Sequence, residues 1–325
     1  MAKRIQISRH GGAEVLEYAD FTPPEPGPRE VRVRNRAIGL NFIDTYFRSG
    51  LYPLPALPGG LGSEAAGVVE AIGSEVHEFC VGDRVAYATG PQGACAEVHV
   101  VPADCLVTLP AMISFEEAAA VLLKGMTVQY LLRQIGHLQG GETVLFHAAA
   151  GGVGSLACQW ARHLGLRLIG VVGSPEKAER ARELGAWAVI DRSREDVVER
   201  VLALTEGQKC PVVYDSVGRD TWEQSLDCVA QRGLLVSYGN ASGPVSGVNL
   251  GILAQKGSLF VTRPTLFGYA DTPERLRAMA AEVFALLERN VLQVEIGQRW
   301  PLAETAAAHR ALEARQTVGA TVLLP

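Results

Sequence analysis

Several features are scarce or absent in this sequence of 325 residues, and each absence narrows its class. No stretch approaches the roughly 18 to 20 uninterrupted apolar residues of a membrane span. Residues 1–6 hold no apolar core, so we expect no secretory signal. The six cysteines form no CxxC pair, which favours free thiols in a reducing compartment, by default the cytoplasm. The net charge of −5 disfavours a non-specific nucleic-acid binder.

Glycine, in contrast, is abundant, with 35 residues, or about 11% against an average near 7%. These glycines are neither periodic nor gathered in a linker, so they indicate tight turns and close approaches of the backbone. Hydrophobic residues make up 48% and charged residues 20%, which is sufficient for a sizeable core. A chain of this length predicts two domains.

Residues 1 to about 110 predict an irregular, mostly antiparallel β domain. Short β-like runs at 31–37 and 65–72 are separated by turn clusters such as 22–28. In the basic stretch 29–36, valines alternate with arginines, which predicts a half-buried strand with a charged outer face.

The pattern changes at Ser114, where Ser114 and Glu117 have the spacing of a capping box for a helix reaching about residue 135. Strands are then predicted at 143–148, 168–172, 188–190, 212–214 and 234–238, and helices at 153–164 and 174–185. This alternation predicts an α/β fold with a doubly wound parallel sheet. Helices at about 272–290 and 303–314 and a strand at 320–324 follow, and one of these segments is expected to return to the first domain.

A glycine-rich turn carries the main chemical signal. The predicted strand 143–148 leads into Ala149, Gly151 and Gly154, which occupy the three positions of a G-x-G-x-x-G pattern directly before a helix. Gly151 would admit a pyrophosphate and Gly154 would let helix and strand pack closely, while the helix N-terminus offers free N–H groups. Between a strand and a helix, this pattern predicts a dinucleotide site.

The next strand indicates which dinucleotide binds. An NAD site needs an acidic residue at the end of that strand, but here Gly173, Ser174 and Lys177 follow it. Lys177 would attract a 2′-phosphate, which carries about −1.5 to −2 charges, and Arg192 could add a second cation. The sequence therefore favours NADPH over NADH.

At these residues the chain resembles the zinc-independent quinone oxidoreductases, the zeta-crystallin-like branch of the medium-chain dehydrogenase/reductase superfamily. The run 141–162 fits the family signature, and the segments 41–46, 62–67, 81–85 and 263–264 also match. The resemblance implies a central Rossmann domain over residues 126–264 and a discontinuous, mostly antiparallel GroES-like catalytic domain over 1–125 and 265–325. It also implies NADPH in the cleft between them and a homodimer formed edge to edge by the Rossmann sheets.

The zinc site of related enzymes is expected to be absent. Asn41, Ser63 and a position near Lys124 stand where zinc-dependent relatives carry ligands, and these side chains do not make a zinc site. Without a metal, the chemistry suits acceptors that are already electrophilic, such as quinones, and the protein supplies positioning and hydrogen-bond donors. The residues leave open whether one electron passes to give a semiquinone or a hydride is transferred.

The resemblance implies catalytic roles for Asn41, Tyr46 and Tyr52. Its cofactor contacts carry over to Phe42, Tyr46, Thr127, Tyr130, Gly151, Gly152, Val153, Gly173, Ser174, Lys177, Arg192, Ser216, Val217, Tyr238, Gly239, Asn240, Leu266, Phe267, Gly268 and Arg315. The departure at Arg192, where the family is expected to have tyrosine, should preserve the NADPH preference. His147, beside the glycine turn, is expected to be a hydrogen-bonded core residue.

We therefore expect a metal-independent NADPH:quinone oxidoreductase acting on a small quinone or another electrophilic carbonyl, with no membrane or nucleic-acid partner. An NADPH-dependent enone, alkenal or enoyl-thioester reductase on the same scaffold is the alternative enzyme. A nucleotide-binding protein without catalysis, either crystallin-like or an RNA binder, is the alternative outside enzymes, and the acidic balance disfavours RNA.

Overall fold

The computed structural model describes all residues, 1–325, and divides into two compact units. The first comprises residues 1–126 and 269–325, and the second comprises residues 127–268. Mixed helices and strands, with one parallel sheet and one largely antiparallel sheet, confirm the predicted fold class. No helix combines the length and the apolarity needed to cross a bilayer.

Antiparallel pairing dominates the first unit. Its earlier elements are β1 (Ala2–Ile7), β2 (Leu16–Phe21), β3 (Glu30–Leu40), α1 (Phe42–Ser49), β4 (Gly59–Gly60), β5 (Glu64–Ile72), β6 (Arg84–Tyr87), β7 (Val98–Pro102), β8 (Val107–Thr108) and α2 (Phe115–Gln129). The α2 helix continues as a π-helical turn, Tyr130–Gln134. The strands β2-β1-β4 form a small sheet, and the pattern of buried valines in β3 confirms the predicted half-buried strand.

The second unit holds a six-stranded parallel sheet. Its elements are β9 (Thr143–His147), α3 (Gly152–His163), β10 (Arg167–Val172), α4 (Pro175–Glu183), β11 (Ala188–Asp191), α5 (Val197–Leu204), β12 (Cys210–Asp215), α6 (Trp222–Cys228), β13 (Val229–Ser237), α7 (Gly251–Gln255), β14 (Phe260–Thr262) and α8 (Leu266–Tyr269). The strand order is β11-β10-β9-β12-β13-β14. The order reverses between β9 and β12, and ligands of such sheets bind at the carboxyl ends of the strands beside that reversal.

The last part of the chain completes the first unit. Its elements are α9 (Pro273–Glu288), β15 (Ile296–Pro301), α10 (Thr305–Glu313) and β16 (Ala320–Leu324). The seven-stranded sheet has the order β15-β16-β3-β5-β6-β8, with β7 also paired to β3. Strand β16 pairs antiparallel with β3 through Leu323 and Ile38. The core of this unit therefore combines apolar residues from both ends of the sequence, such as Val33 and Leu312.

Candidate functional site

The glycine turn of the second unit has the geometry of a phosphate cradle. The chain leaves β9 through Ala148, whose φ of 56° is a left-handed conformation that costs a non-glycine residue energy. Gly151 is the N-cap of α3, and its N–H donates to the carbonyl of Ala148 at 2.9 Å. The N–H groups of the first turn of α3 have no acceptor within the helix, so they are available to an anion.

The glycine turn suits a dinucleotide because glycine lets the backbone of α3 pack closely against the turn. A Cβ on Gly154 would lie 2.3 Å from the carbonyl oxygen of Ala148, so α3 packs on the turn only with glycine there. Near Gly173, at the end of β10, the only atoms a Cβ would approach belong to the Arg192 guanidinium, at 3.6 Å or more. Residues 151–153 are half-buried, with a Cβ on Gly151 only 3.2 Å from the Ala148 carbonyl oxygen, and the space beside Gly173 is open; the predicted pyrophosphate and adenosine ends would lie at these two places.

A buried hydrogen-bonded chain joins the strands at the point of reversal. His147 ends β9, and its Nε2 lies 3.0 Å from the Oγ of Ser225 on α6. The Ser225 hydroxyl lies 2.6 Å from Asp215 Oδ2 at the end of β12. Since that hydroxyl donates to the carboxylate, the His147 Nε2–H donates to Ser225. Burial lowers the pKa of His147, which keeps the ring neutral. The predicted hydrogen-bonded core histidine is confirmed.

Asp215 holds the loop that follows β12. Its Oδ1 accepts the N–H groups of Val217 at 2.7 Å and Gly218 at 3.0 Å, and its Oδ2 also accepts from Thr221 Oγ1 at 2.8 Å. A Cβ on Gly239, which follows β13, would lie 2.4 Å from the carbonyl of Ser216. The two predicted contact segments after β12 and β13 are therefore in direct backbone contact.

Cations and a helix N-terminus lie at the end of β10. Ser174 caps α4, with its Oγ accepting the N–H of Lys177 at 3.4 Å. Lys177 is half-buried on the first turn of α4, and Arg192 is exposed beside Gly173. No acidic side chain stands at positions 173 to 175, directly after the strand. The site can therefore accept a dianionic group.

The remaining predicted cofactor contacts of the second unit have varied exposure. Leu266 is buried and Phe267 is exposed on the short helix α8. Thr127 and Tyr130 are both buried. The predicted cofactor contacts are divided between the two units. Those in the second unit are Thr127, Tyr130, Gly151, Gly152, Val153, Gly173, Ser174, Lys177, Arg192, Ser216, Val217, Tyr238, Gly239, Asn240, Leu266, Phe267 and Gly268.

In the first unit, Asn41 directly follows β3 and is the N-cap of α1. Its backbone N–H donates to Asp44 Oδ2 at 2.8 Å, forming a capping box. Asp44 Oδ1 accepts from the hydroxyl of Ser63 at 2.9 Å, and that hydroxyl oxygen accepts from Gln92 Nε2 at 2.9 Å. Desolvation raises the pKa of Asp44 to about 6.

A second buried carboxylate contacts the Asn41 side chain. Asn41 Nδ2 donates to Glu64 Oε2 at 2.8 Å, and the N–H of Leu123 donates to Glu64 Oε1 at 2.6 Å. Lys124 Nζ lies 3.5 Å from the same carboxylate and has no hydrogen-bond partner in good geometry. Burial raises the pKa of Glu64, and Lys124 opposes that shift. Asn41 and Lys124, two of the positions where the resemblance led us to expect zinc ligands in relatives, thus contact the same carboxylate. No group of three or more His, Cys, Asp or Glu residues that could hold a metal ion occurs.

Aromatic side chains lie on and after α1. Tyr46 and Tyr52 are half-buried and meet edge to face, with ring centroids 5.3 Å apart, and Tyr52 also contacts Phe47. Phe42 packs against the core of the first unit. Arg315 is exposed just beyond α10. The structure thus brings Asn41, Phe42, Tyr46 and Tyr52 together at one helix.

Sequence reasoning missed Asp44, Ser225 and Thr221. The spacing of Asn41 and Asp44 was a usable signal, since an N-cap residue with an acid three positions later marks a helix start. No comparable signal indicates Ser225, whose partners His147 and Asp215 are 78 and 10 residues away along the chain.

Comparisons with known proteins match both units. The family model described as alcohol dehydrogenase GroES-like domain matches residues 27–111, and the one described as zinc-binding dehydrogenase matches residues 152–284. Together with the parallel sheet and its glycine turn, these matches define a medium-chain dehydrogenase/reductase.

Similar proteins show which family within the superfamily the chain belongs to. A quinone oxidoreductase of Pseudomonas aeruginosa is 71% identical and covers 100% of both chains. The structure of the Escherichia coli quinone oxidoreductase complexed with NADPH has a TM-score of 0.99 at 55% identity, with 100% of both chains covered. A 2-haloacrylate reductase of Burkholderia is 42% identical over 100% of this chain and 99% of its own. The chain belongs to the quinone oxidoreductase family of the medium-chain dehydrogenase/reductase superfamily, which confirms the resemblance found in its motifs.

Proposed function

We propose that the protein reduces quinones with NADPH and without a metal ion. This proposal rests mainly on the glycine turn of the second unit, where the N–H groups of the first turn of α3 have no acceptor within the helix and Lys177 and Arg192 lie near the end of β10. The similarity over the full length to quinone oxidoreductases, one of them complexed with NADPH, supports the same activity and cofactor.

When bound, NADPH supplies the reducing equivalents. The first-turn N–H groups at Gly152 and Val153 would hold the pyrophosphate, and Lys177, Ser174 and Arg192 would hold the 2′-phosphate. Asp215 keeps the Ser216–Val217 segment beside Gly239, which shapes the edge of the cradle. The other cofactor contacts inferred from the sequence, including Phe42, Thr127, Tyr130, Phe267 and Arg315, belong to the same proposal.

For the acceptor, we assign Asn41, Tyr46 and Tyr52 to the catalytic site. The edge-to-face pair of Tyr46 on α1 and Tyr52 in the loop after it offers apolar ring surface for a planar ligand, together with phenolic groups. We propose that the domain formed by residues 1–125 and 265–325 carries the catalytic residues. The domain formed by residues 126–264 would bind the cofactor.

Steady-state turnover tests the assignment. With NADPH as reductant, 1,4-benzoquinone and a naphthoquinone should have kcat/KM values at least tenfold above those of 2-alkenals. A preference for alkenals, or no NADPH oxidation with any acceptor, would overturn it.

A second activity, reduction of an activated carbon–carbon double bond, is favoured by the 42% identity to a 2-haloacrylate reductase. Both reactions reduce an electrophilic acceptor. A 2-haloacrylate in the same assay separates the two, since the quinone assignment predicts the lower kcat/KM for the haloacrylate.

We also propose a homodimer through the edge of the six-stranded sheet. Strand β14 is the last strand of that sheet, and its Phe260 and Val261 side chains are exposed. An apolar strand with an unpaired edge favours pairing with a second copy. Sedimentation should give a mass near twice 34.7 kDa, and Phe260→Glu should shift it toward the monomer.

All six cysteines are free, and four of them are buried. This supports the proposed cytoplasmic location, where thiols stay reduced. Cell fractionation tests it, and recovery with a secreted or membrane fraction would contradict it.

A further inference from the structure

We propose that Tyr214, on strand β12, is a positioning residue that holds the π-helical turn Tyr130–Gln134 in its register. Through that register it sets the direction in which Thr127 and Tyr130 face. This inference rests on the proposed function, because it takes these two residues as cofactor contacts of the second unit. Tyr214 itself is fully buried in the parallel sheet and acts through the turn.

Two hydrogen bonds show the register of the turn. The N–H of Ile135 donates to the carbonyl of Tyr130 at 3.0 Å, five residues back instead of the four of an α-helix. The Gln134 Nε2 donates to Gln129 Oε1 at 2.7 Å, again across five positions. In an α-helix two such side chains would lie about 140° apart around the axis. Their contact is therefore a second sign of the wider turn.

The wider turn removes the helical donor of one carbonyl, and Tyr214 replaces it. In an α-helix the N–H of Ile135 would bond to the carbonyl of Leu131. Here that N–H bonds to Tyr130, and the Tyr214 hydroxyl donates to the Leu131 carbonyl at 2.7 Å. Leu131 and Tyr214 are both fully buried, so without the hydroxyl this carbonyl would lack a partner in the π register. The hydroxyl therefore favours the π register over the α register.

Strand β12 gives the chain after the turn a fixed support. Val212 and Tyr214 are two positions apart in this strand, so their side chains project from the same face of the sheet. Gly136 lies against that face with a φ of 82°, since a Cβ on it would be 2.9 Å from Val212 Cγ2. The ring of Phe146 on β9 packs beside Tyr214, with centroids 5.4 Å apart. A change of register would therefore be taken up by the residues before the turn.

Those residues include the two proposed cofactor contacts. Each residue of an α-helix turns the chain by about 100°, so a return to the α register would rotate Thr127 and Tyr130 by about that angle relative to Gly136. The adenosine end of the dinucleotide is proposed at β10 and the pyrophosphate at α3. The remaining half would then lie on the β12 side of the sheet. We therefore expect Tyr214 to influence the nicotinamide half of the cofactor and not its adenosine half.

Tyr214→Phe removes only the hydroxyl and tests this expectation by ligand binding. NADPH is compared with adenosine 2′,5′-bisphosphate, which represents the adenosine half alone. Y214F should bind NADPH at least fivefold more weakly and bind the bisphosphate within twofold of the parent.

Tyr87→Phe is the matched control, because the Tyr87 hydroxyl is also buried and donates to Asn35 Oδ1 at 3.0 Å in the first unit. It should lower the melting temperature about as much as Y214F and leave the affinity for both ligands unchanged. Gly136→Ala displaces the same segment from Val212 and keeps the Tyr214 hydroxyl. It should reproduce the selective loss of NADPH and covers the case in which Y214F fails to fold.

The register is measured separately, in crystal structures of the parent and Y214F without ligand. The parent should keep the bond from Ile135 to Tyr130, and Y214F should show the Ile135 N–H bonded to Leu131. An unchanged register in Y214F would overturn the inference. So would equal losses for NADPH and the bisphosphate, or the same selective loss in Y87F.

These measurements need no electron acceptor, so they are independent of the quinone assay. Absence of quinone turnover together with the selective binding pattern would overturn the proposed reaction and leave the role of Tyr214 standing. A parent protein that does not bind NADPH would overturn the proposed function and, with it, the positioning role.

Discussion

Arg48 and His309 meet in the core of the first unit, with Arg48 Nη1 3.1 Å from His309 Nδ1. A guanidinium only donates, so the ring accepts at Nδ1 and is neutral. Glu313 pairs with the same guanidinium, its Oε2 lying 2.9 Å from Nη1. Burial, and next the charge of Arg48, lower the pKa of His309 to about 3.

We predict that this histidine makes the fold sensitive to acid. The unfolded chain takes up a proton near pH 6.5 and the folded chain only near pH 3, so its stabilising contribution is lost as the pH falls between these values. At pH 4.5 the loss is about 3 kcal/mol. In His309→Gln, which can still accept from Arg48, urea denaturation from pH 7 to 4.5 should show a shallower decline. The exposed His163→Gln should follow the parent, and an unchanged slope in His309→Gln would contradict the prediction.

Asp44 should change the stability of the fold with pH in the opposite direction to His309. Its folded pKa of about 6 lies above the unfolded value of 3.8, so its contribution is present at low pH and is lost as the pH rises through 6. Asp44→Asn removes this titration, and its free energy of unfolding relative to the parent should rise by up to about 3 kcal/mol from pH 4 to pH 7. The exposed Asp104→Asn is the control. A difference that stays flat across this range would show that Asp44 is not the titrating group.

Lys177→Ala should separate the two dinucleotides. Loss of a charge-assisted bond to the 2′-phosphate should weaken NADPH by roughly 1 to 3 kcal/mol and leave NADH nearly unchanged. Arg182→Ala, on the same helix but paired with Glu179 at the surface, should affect neither. Fluorescence titration measures both affinities. Equal losses for NADPH and NADH would refute the role of Lys177.

Gly154→Ala should damage the cradle itself. Its Cβ would lie 2.3 Å from the Ala148 carbonyl oxygen and 2.6 Å from the Ala149 Cα, so α3 must move away from the turn. We expect a loss of about 1 to 3 kcal/mol in stability and at least tenfold weaker NADPH binding. Gly140→Ala, whose Cβ would have an ordinary contact at 3.5 Å, should keep the parent melting temperature. Parent-like binding in Gly154→Ala would disprove the close-approach role.

Local signals made several elements of both units predictable. Ser174 and Pro175 predicted the start of a helix over residues 174–185. The observed helix, α4, spans Pro175–Glu183, and the Ser174 hydroxyl caps it. The strand predicted at 320–324 is confirmed as Ala320–Leu324. The residues that determine such elements lie within one turn or one strand of each other, so local sequence patterns are sufficient to predict them.

Elements governed by tertiary contacts were harder to predict. Helix α1 was missed because its aromatic and β-branched residues have modest helix propensity and it is only eight residues long. The helix predicted to reach about residue 135 ends as an α-helix at Gln129 and changes to a π-helical turn. The Glu64–Lys124 pair joins residues 60 positions apart, and no sequence pattern distinguishes a buried carboxylate of this kind from a solvated one.

The position of β16 in its sheet bears on the order of folding during synthesis. Strand β16 lies between β15 and β3, so the hydrogen bonds that join β15 to the rest of the larger sheet cannot form until residues 320–324 have left the ribosome. The second unit is contiguous and is fully translated by residue 268. Since chains emerge at about 5 to 20 residues per second, the dinucleotide cradle has several seconds to form before the first unit can close. Nascent chains should therefore complete the unit with the parallel sheet before the unit that contains both ends of the sequence.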